Sequence, residues 1–244
     1  MVFSEVRCQG CGLCTSLCPL SVPKLHEYPD HLIYSQIDDL LSGDLARKVL
    51  LVACSERADA LNAVGRTKMK YPALLPLFMP CIDLVSEAHI LSAFAVGADG
   101  VILCGCEDSH HEQNESAVEF AQLALSAHKL GERVLLLTDA EDFAMMVTEF
   151  VNKLSPIRKK KSGVIDFAKP KRDILYELLQ NLHTKTGVFP TLIEENTQFP
   201  FADVSIGPKC LICNACETLC PTKALTKDNK NPFYIWALYS LRLV

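Results

Sequence analysis

Cys210-Leu-Ile-Cys213-Asn-Ala-Cys216-Glu-Thr-Leu-Cys220-Pro221 is the stretch on which the fold turns, and Cys8, Cys11, Cys14, Cys18 and Pro19 repeat it near the start of the chain. Both copies have the spacing C-x2-C-x2-C-x3-C-P. In such a run three thiolates wrap one cubane cluster, while the fourth, followed by proline, ligates a different one. Each copy is therefore incomplete alone. If the copies complete each other, Cys8, Cys11, Cys14 and Cys220 hold one [4Fe-4S] cluster, and Cys210, Cys213, Cys216 and Cys18 hold the second. A fourth ligand lent by another chain is the alternative. Residues 19–209 then form one long excursion between two halves.

Other thiol chemistries suit this spacing poorly. Zinc favours paired C-x2-C elements separated by a longer run. Disulfides belong to small secreted domains, and Met1-Val-Phe-Ser-Glu-Val-Arg7 offers none of the basic, apolar and cleavage regions of a signal peptide. With 244 residues and a hydrophobic fraction of 49%, the chain is long and apolar enough to bury a core. Net charge is -5 and the basic run Arg158-Lys159-Lys160-Lys161 reads as a solvated linker, so nucleic acid is not an expected partner. No stretch approaches the roughly 18 apolar residues that span a bilayer. The expectation is a soluble, cytoplasmic protein.

Between the two runs the periodicity changes. Ile37, Leu40 and Leu41 mark a short helix from Ser35, stopped by Ser42-Gly43. Continuous apolar runs at 48–53, 74–79, 100–103 and 133–137 read as strands covered on both faces. Helical spacing follows them: Leu84, Val85, Ala88, Leu91 and Ala95 on one face, Val118, Ala121, Leu125 and His128 on another, Phe143, Met146, Val147 and Phe150 on a third. Strands alternating with helices predict an α/β fold, a four-stranded parallel flavodoxin-like sheet inserted between the two halves of the cluster module. Beyond Leu154, Pro156 and Pro170 mark a linker, and Asp173 is placed to cap a helix through Leu182. Residues 201–206 alternate like a strand. The chain divides into a first cysteine half (1–34), the α/β domain (45–155), a linker with one helix (156–200), a second cysteine half (201–231) and an apolar tail (232–244). In that tail Trp236 is a candidate interface anchor.

The four remaining cysteines acquire meaning from this topology. Cys54 ends the first strand, Cys81 follows the second, and Cys104 and Cys106 end the third. Ligands of open parallel sheets gather outside the carboxyl ends of the strands, so all four thiols come to one edge. Four buried cysteines acting as small hydrophobes are the bland reading. The sharper one is a [2Fe-2S] cluster on Cys54, Cys81, Cys106 and either Cys104 or His111, since such clusters take four thiolates or a mixed set with histidine. His110 is a further candidate beside the site.

Val64-Gly65-Arg66, Tyr71-Pro72, Cys81, Gly97-Ala98-Asp99-Gly100-Val101 and Gly105-Cys106 occur in an order that resembles the delta subunit of methyl-viologen-reducing hydrogenase, over residues 49–154. That resemblance implies an iron-sulfur protein that hands electrons to the flavoprotein subunit of heterodisulfide reductase. Two positions depart from the family pattern: Ser55-Glu56-Arg57 and His111 stand where cysteines are usual. Residues 210–225 closely resemble bacterial two-cluster ferredoxins, so each cysteine half looks like half a ferredoxin. Class II benzoyl-CoA reductase and heterodisulfide-reductase-like complexes are settings the same resemblance implies.

The expected function is an electron-transfer subunit that makes and breaks no substrate bond. Its expected partners are a heterodisulfide-reductase-like flavoprotein and an electron donor or acceptor subunit, in a complex of the kind that can bifurcate electrons. The alternative from another class is a flavin- or nucleotide-binding reductase fed by the cubanes. Against it, Cys54-Ser-Glu-Arg-Ala-Asp-Ala60 lacks the glycines that let backbone approach a pyrophosphate. Thiol-disulfide chemistry at Cys104 and Cys106 would need a low-pKa exposed thiolate.

Overall fold

The computed structural model describes residues 8–67, 70–106, 112–138, 142–157, 165–188, 208–211, 213–219, 225–227 and 235–237. It forms two compact units, Met1–Phe189 and Pro190–Val244. In the first, the elements are α1 (Leu13–Leu17), α2 (Asp30–Leu41), β1 (Val49–Cys54), α3 (Ala58–Arg66), β2 (Leu75–Met79), α4 (Glu87–Val96), β3 (Gly100–Cys104), α5 (Glu112–Ala127), β4 (Val134–Leu137), α6 (Phe143–Lys153) and α7 (Lys171–Thr186). In the second they are α8 (Ala215–Leu219), β5 (Leu225–Lys227) and β6 (Ile235–Ala237).

Every apolar run expected to be a strand is one, and β1 to β4 form a single parallel sheet in the order β2-β1-β3-β4. The central strands β1 and β3 are buried at every position, as a continuous Val/Leu/Ile run requires when helices cover both faces. The edge strand β2 instead alternates, with Leu77 and Met79 inward and Phe78 exposed, and it tolerates Pro76 because an edge strand can spare a donor.

Period-2 alternation divides the core. Val49, Leu51 and Ala53 of β1 join Ile102 and Cys104 of β3 and pack against Phe143, Val147 and Val151 of α6, with Leu61 and Val64 of α3 beside them. Leu50 and Val52 face the other way, with Leu77, Met79 and Val101, toward Ile33 and Ile37 of α2 and Ile90 of α4.

Several boundaries differ from those the sequence suggests, each for a local reason. α2 begins at Asp30, directly after Pro29, rather than at Ser35, because Ile33 and Tyr34 extend its buried face by a turn. Leu84 and Val85 precede α4, in and just after a 3-10 turn at Ile82–Leu84, and α4 starts from a capping box in which Ser86 and His89 exchange hydrogen bonds. Met146 is exposed on α6. α3 buries no residue fully, and its apolar face is short, with Leu61 and Val64 packing on the core one turn apart. α7 begins at Lys171 with Pro170 before it, which puts Asp173 in the first turn rather than at the cap. Far from hanging in a linker, α7 buries Ile174, Leu175, Leu178 and Leu182 and donates Lys185 Nζ to the α4 carbonyls of Phe94 (3.1 Å) and Ala95. A cation there satisfies the orphan carbonyls of a helix end.

In the second unit, β6 pairs antiparallel with β5, Thr226 opposite Trp236, so the apolar tail is tied by backbone pairing to the segment after the second cysteine run. The strand expected over 201–206 and the basic run 158–161 lie outside the described residues.

Candidate metal centre

Sheet order reverses between β1 and β3, the place where a parallel sheet opens a crevice beyond its carboxyl ends. Cys54 is the last residue of β1, facing Met79 across the ladder, while Cys81 and Cys106 lie two residues past the ends of β2 and β3. The parallel register therefore delivers the three to one spot. Their sulfur atoms all lie within 4.8 Å of one another.

The surroundings favour one negative charge at this spot. Cys54 Sγ accepts the backbone N–H of Ile82 at 3.3 Å and that of Cys106. The Cys81 thiol donates to it as well, and with the two N–H groups holds the Cys54 pKa down to about 6 against the cost of burial. Cys81 is driven up for the complementary reason, as the donor of that hydrogen bond and a partly buried group, and Cys106 rises through burial and the charge of Cys54. Charge at the site is thus favoured on Cys54, and a metal would displace the protons that remain on the thiols. Three sulfurs with backbone N–H donors form a soft donor set that fits iron-sulfur chemistry.

Cys104 is placed elsewhere. β3 ends at Cys104, so strand alternation does not carry its direction on to Cys106. Paired with Ala53, it points to the α6 face and is fully buried among Ile102, Leu137 and Phe143. Burial there pushes its pKa up to about 11, with the Arg57 guanidinium partly opposing. His110 and His111 lie outside the described residues.

Sequence reading passed over Arg57, which is buried at 7% exposure between the loops. It donates Nε to the Gly105 carbonyl at 2.7 Å and Nη2 to the Thr138 carbonyl at 2.6 Å. The residue before Cys106 is thereby tied to the end of β1 and to the end of β4. Ser55 Oγ adds a bond to the Met79 carbonyl at 2.9 Å, joining β1 to β2 just below Cys81. Nothing in the sequence around Arg57 distinguishes it from a surface arginine; its role comes from the loops the sheet places over it.

The two cysteine runs fold alike. α1 and α8 occupy the same five positions of the repeat, one spanning Cys14 and the other Cys216. The residue before each helix is left-handed, Gly12 at φ 80 and Asn214 at φ 61. Ser16 N–H bonds to the Gly12 carbonyl, and the equivalent Thr218 N–H to the Asn214 carbonyl, both at 3.1 Å. Cys8, Cys14, Cys210, Cys213 and Cys216 are exposed and Cys11 and Cys18 partly so. Cys220 lies outside the described residues.

The residues behind the family resemblance mostly sit at the opposite edge of the sheet and serve the fold. Gly97 ends α4 in the left-handed region at φ 114. Asp99 accepts the N–H of Lys48 and that of Ile157, both at 2.9 Å, and its carbonyl takes a bond from Arg133 Nη1 at 2.8 Å. At Gly100 a Cβ would stand 2.5 Å from Leu154 Cδ1. No curated protein is found to match the chain. A family model does: residues 49–157, from the first residue of β1 to the N–H that closes on Asp99, match the methyl-viologen-reducing hydrogenase delta subunit, and the α/β segment carrying Cys54, Cys81 and Cys106 is therefore similar to that subunit.

Proposed function

We propose that this chain is an iron-sulfur electron-transfer subunit of an oxidoreductase complex, and the observation that carries the reading is the convergence of the Cys54, Cys81 and Cys106 sulfurs within 4.8 Å at the sheet's switch point. The α/β segment's similarity to a hydrogenase delta subunit supports it. Clusters take up and release single electrons, and the chain's own residues would hold them and set their hydrogen bonds. On this reading Cys54, Cys81 and Cys106 bind a [2Fe-2S] cluster. The placement of Cys104 in the opposite core favours His111 as its fourth ligand.

The two cysteine runs form one ferredoxin-type module with crossed ligation: Cys8, Cys11, Cys14 and Cys220 on one [4Fe-4S] cluster, Cys210, Cys213, Cys216 and Cys18 on the other. The identical local folds of α1 and α8 support this, as do Leu17 and Leu219, equivalent apolar residues that are both exposed. A heterodisulfide-reductase-like flavoprotein is the proposed partner, with a separate donor or acceptor subunit, in a cytoplasmic complex of the bifurcating kind. No helix among the described residues is long and apolar enough to cross a membrane.

Crossed ligation is tested with Cys18→Ala. The variant is expected to lose the cluster held by Cys210, Cys213 and Cys216 while the N-terminal run keeps its own, which Mössbauer spectra of site-selectively labelled protein resolve. Loss of the N-terminal cluster instead would reject the split module.

A further inference from the structure

The N-terminal cysteine run is fixed to the turn that carries Cys81, and on that contact a relay can be ordered. α1 packs on the 3-10 turn Ile82–Leu84. Gly12, between Cys11 and Leu13, meets Leu84 so closely that a Cβ on it would stand 2.1 Å from Leu84 Cδ2 and 3.5 Å from the Leu84 Cα. Its φ of 80 excludes ordinary side chains for a second reason. Leu84 is fully buried, and its N–H bonds back to the Cys81 carbonyl at 3.3 Å. Within the same turn Ile82 donates its N–H to Cys54 Sγ.

A second fastening lies on the far side of the run. The uncapped N-terminus of α7 donates its free N–H groups to the segment after Cys18: Lys171 N–H to Ser21 Oγ at 3.0 Å and Arg172 N–H to the Pro19 carbonyl at 3.1 Å. Ser21 itself lies in the left-handed region at φ 52. The buried Lys171 ammonium reaches the Ser16 carbonyl at the end of α1 and is balanced by Glu87 at 3.1 Å. The run is thus clamped at both ends of α1 to the unit that holds Cys54, Cys81 and Cys106.

We infer that the Gly12–Leu84 contact is the joint of the relay, making the N-terminal cysteine run the immediate electron neighbour of Cys54, Cys81 and Cys106. This rests on the proposed iron-sulfur reading. The contact and the turn together hold the Cys11 and Cys81 α-carbons no more than about 16 Å apart. The buried Leu84 side chain lies between them, against Gly12. The exchange is one electron: the cluster at one cysteine set is oxidised by one unit as the other is reduced by one, with no proton moved and no bond made or broken.

Two reduced, paramagnetic centres at this separation interact magnetically, which gives a readout independent of activity. Full-length protein, prepared anaerobically and with its iron content measured, is titrated with dithionite and followed by EPR. The signal of the Cys54, Cys81 and Cys106 centre is expected to broaden or split over the potentials at which the N-terminal cluster takes its electron. In Cys11→Ser that broadening is expected to be lost, and in Cys213→Ser it is expected to remain. Should either variant fail to fold, a sharp wild-type signal at full reduction still rejects the joint. A sharp, unperturbed signal at full reduction with all three centres present, or broadening that vanishes only in Cys213→Ser, would overturn the joint. Iron sufficient for the cubanes but no third signal would overturn the joint together with the reading of the triad beneath it, and the iron count tells these failures apart.

Discussion

Cys106→Ser is expected to abolish the third iron-sulfur centre while leaving both [4Fe-4S] clusters in place. The argument starts from geometry: three sulfurs within 4.8 Å surround one point, and each supplies a bond that no described neighbour can replace. Changes in groups that merely orient ligands cost 10–100-fold in metal affinity, so removing a ligand should cost more than about 100-fold. The fold should survive, because Cys106 lies past β3, is only partly buried and keeps its size in serine. A surface-level change of about ±0.5 kcal/mol in the apoprotein is the expectation. Visible and EPR spectra of purified variant and wild type check this, with the loss confined to the [2Fe-2S] signature. Cys104→Ser supplies the contrast. Burying a hydroxyl in the α6 core should cost about 1–3 kcal/mol, yet the centre should persist.

The second large effect belongs to Arg57. Its buried guanidinium bonds the Gly105 and Thr138 carbonyls, and truncation to alanine leaves both acceptors buried beside an empty space. Hydrogen bonds to charged groups contribute about 1.5–3 kcal/mol each, so Arg57→Ala should destabilise the α/β unit by about 3–5 kcal/mol. For a chain of this size that is a fall in Tm on the order of 10 °C. Arg57→Lys keeps the charge without the fork that spans two loops, and should recover only part of the loss. Because the Gly105 carbonyl precedes Cys106, the alanine variant should also release iron from the third centre faster under a chelator than from the cubanes. Thermal unfolding followed by circular dichroism and timed iron release check the two halves of this expectation. Equal release from all centres would remove Arg57 from the site.

How far the residues announced these features depends on how local the signal is. The strands could be read directly, since β1 and β3 are uninterrupted apolar runs and their parallel pairing follows from the helices between them. Cys54, Cys81 and Cys106 could be read too, because strand ends define the carboxyl edge wherever the strands sit in the sheet. Cys104 could not be assigned in that way. Its direction depends on where β3 stops, and a shift of one residue turns a side chain to the other face. α3 offers only the short apolar face of Leu61 and Val64, and Arg57 gave no signal because its two acceptors lie 48 and 81 residues away. The clamp of α7 on the N-terminal run is longer still in range, spanning 150 residues from Lys171 to Ser21. What looked like linker composition around Pro170 is the entry to a helix whose free N–H groups fasten a cysteine run.

The central claim is that Cys54, Cys81 and Cys106 hold an iron-sulfur centre in addition to the clusters of the two cysteine runs. Iron and acid-labile sulfide, counted per chain on anaerobically purified wild-type protein together with its Mössbauer spectrum, test it most directly. Two cubanes and one binuclear cluster predict about ten iron and ten sulfide per chain, with about a fifth of the iron in a binuclear site. About eight of each, all of it in cubane sites, would contradict the claim and leave the α/β unit as a scaffold for the cysteine runs alone.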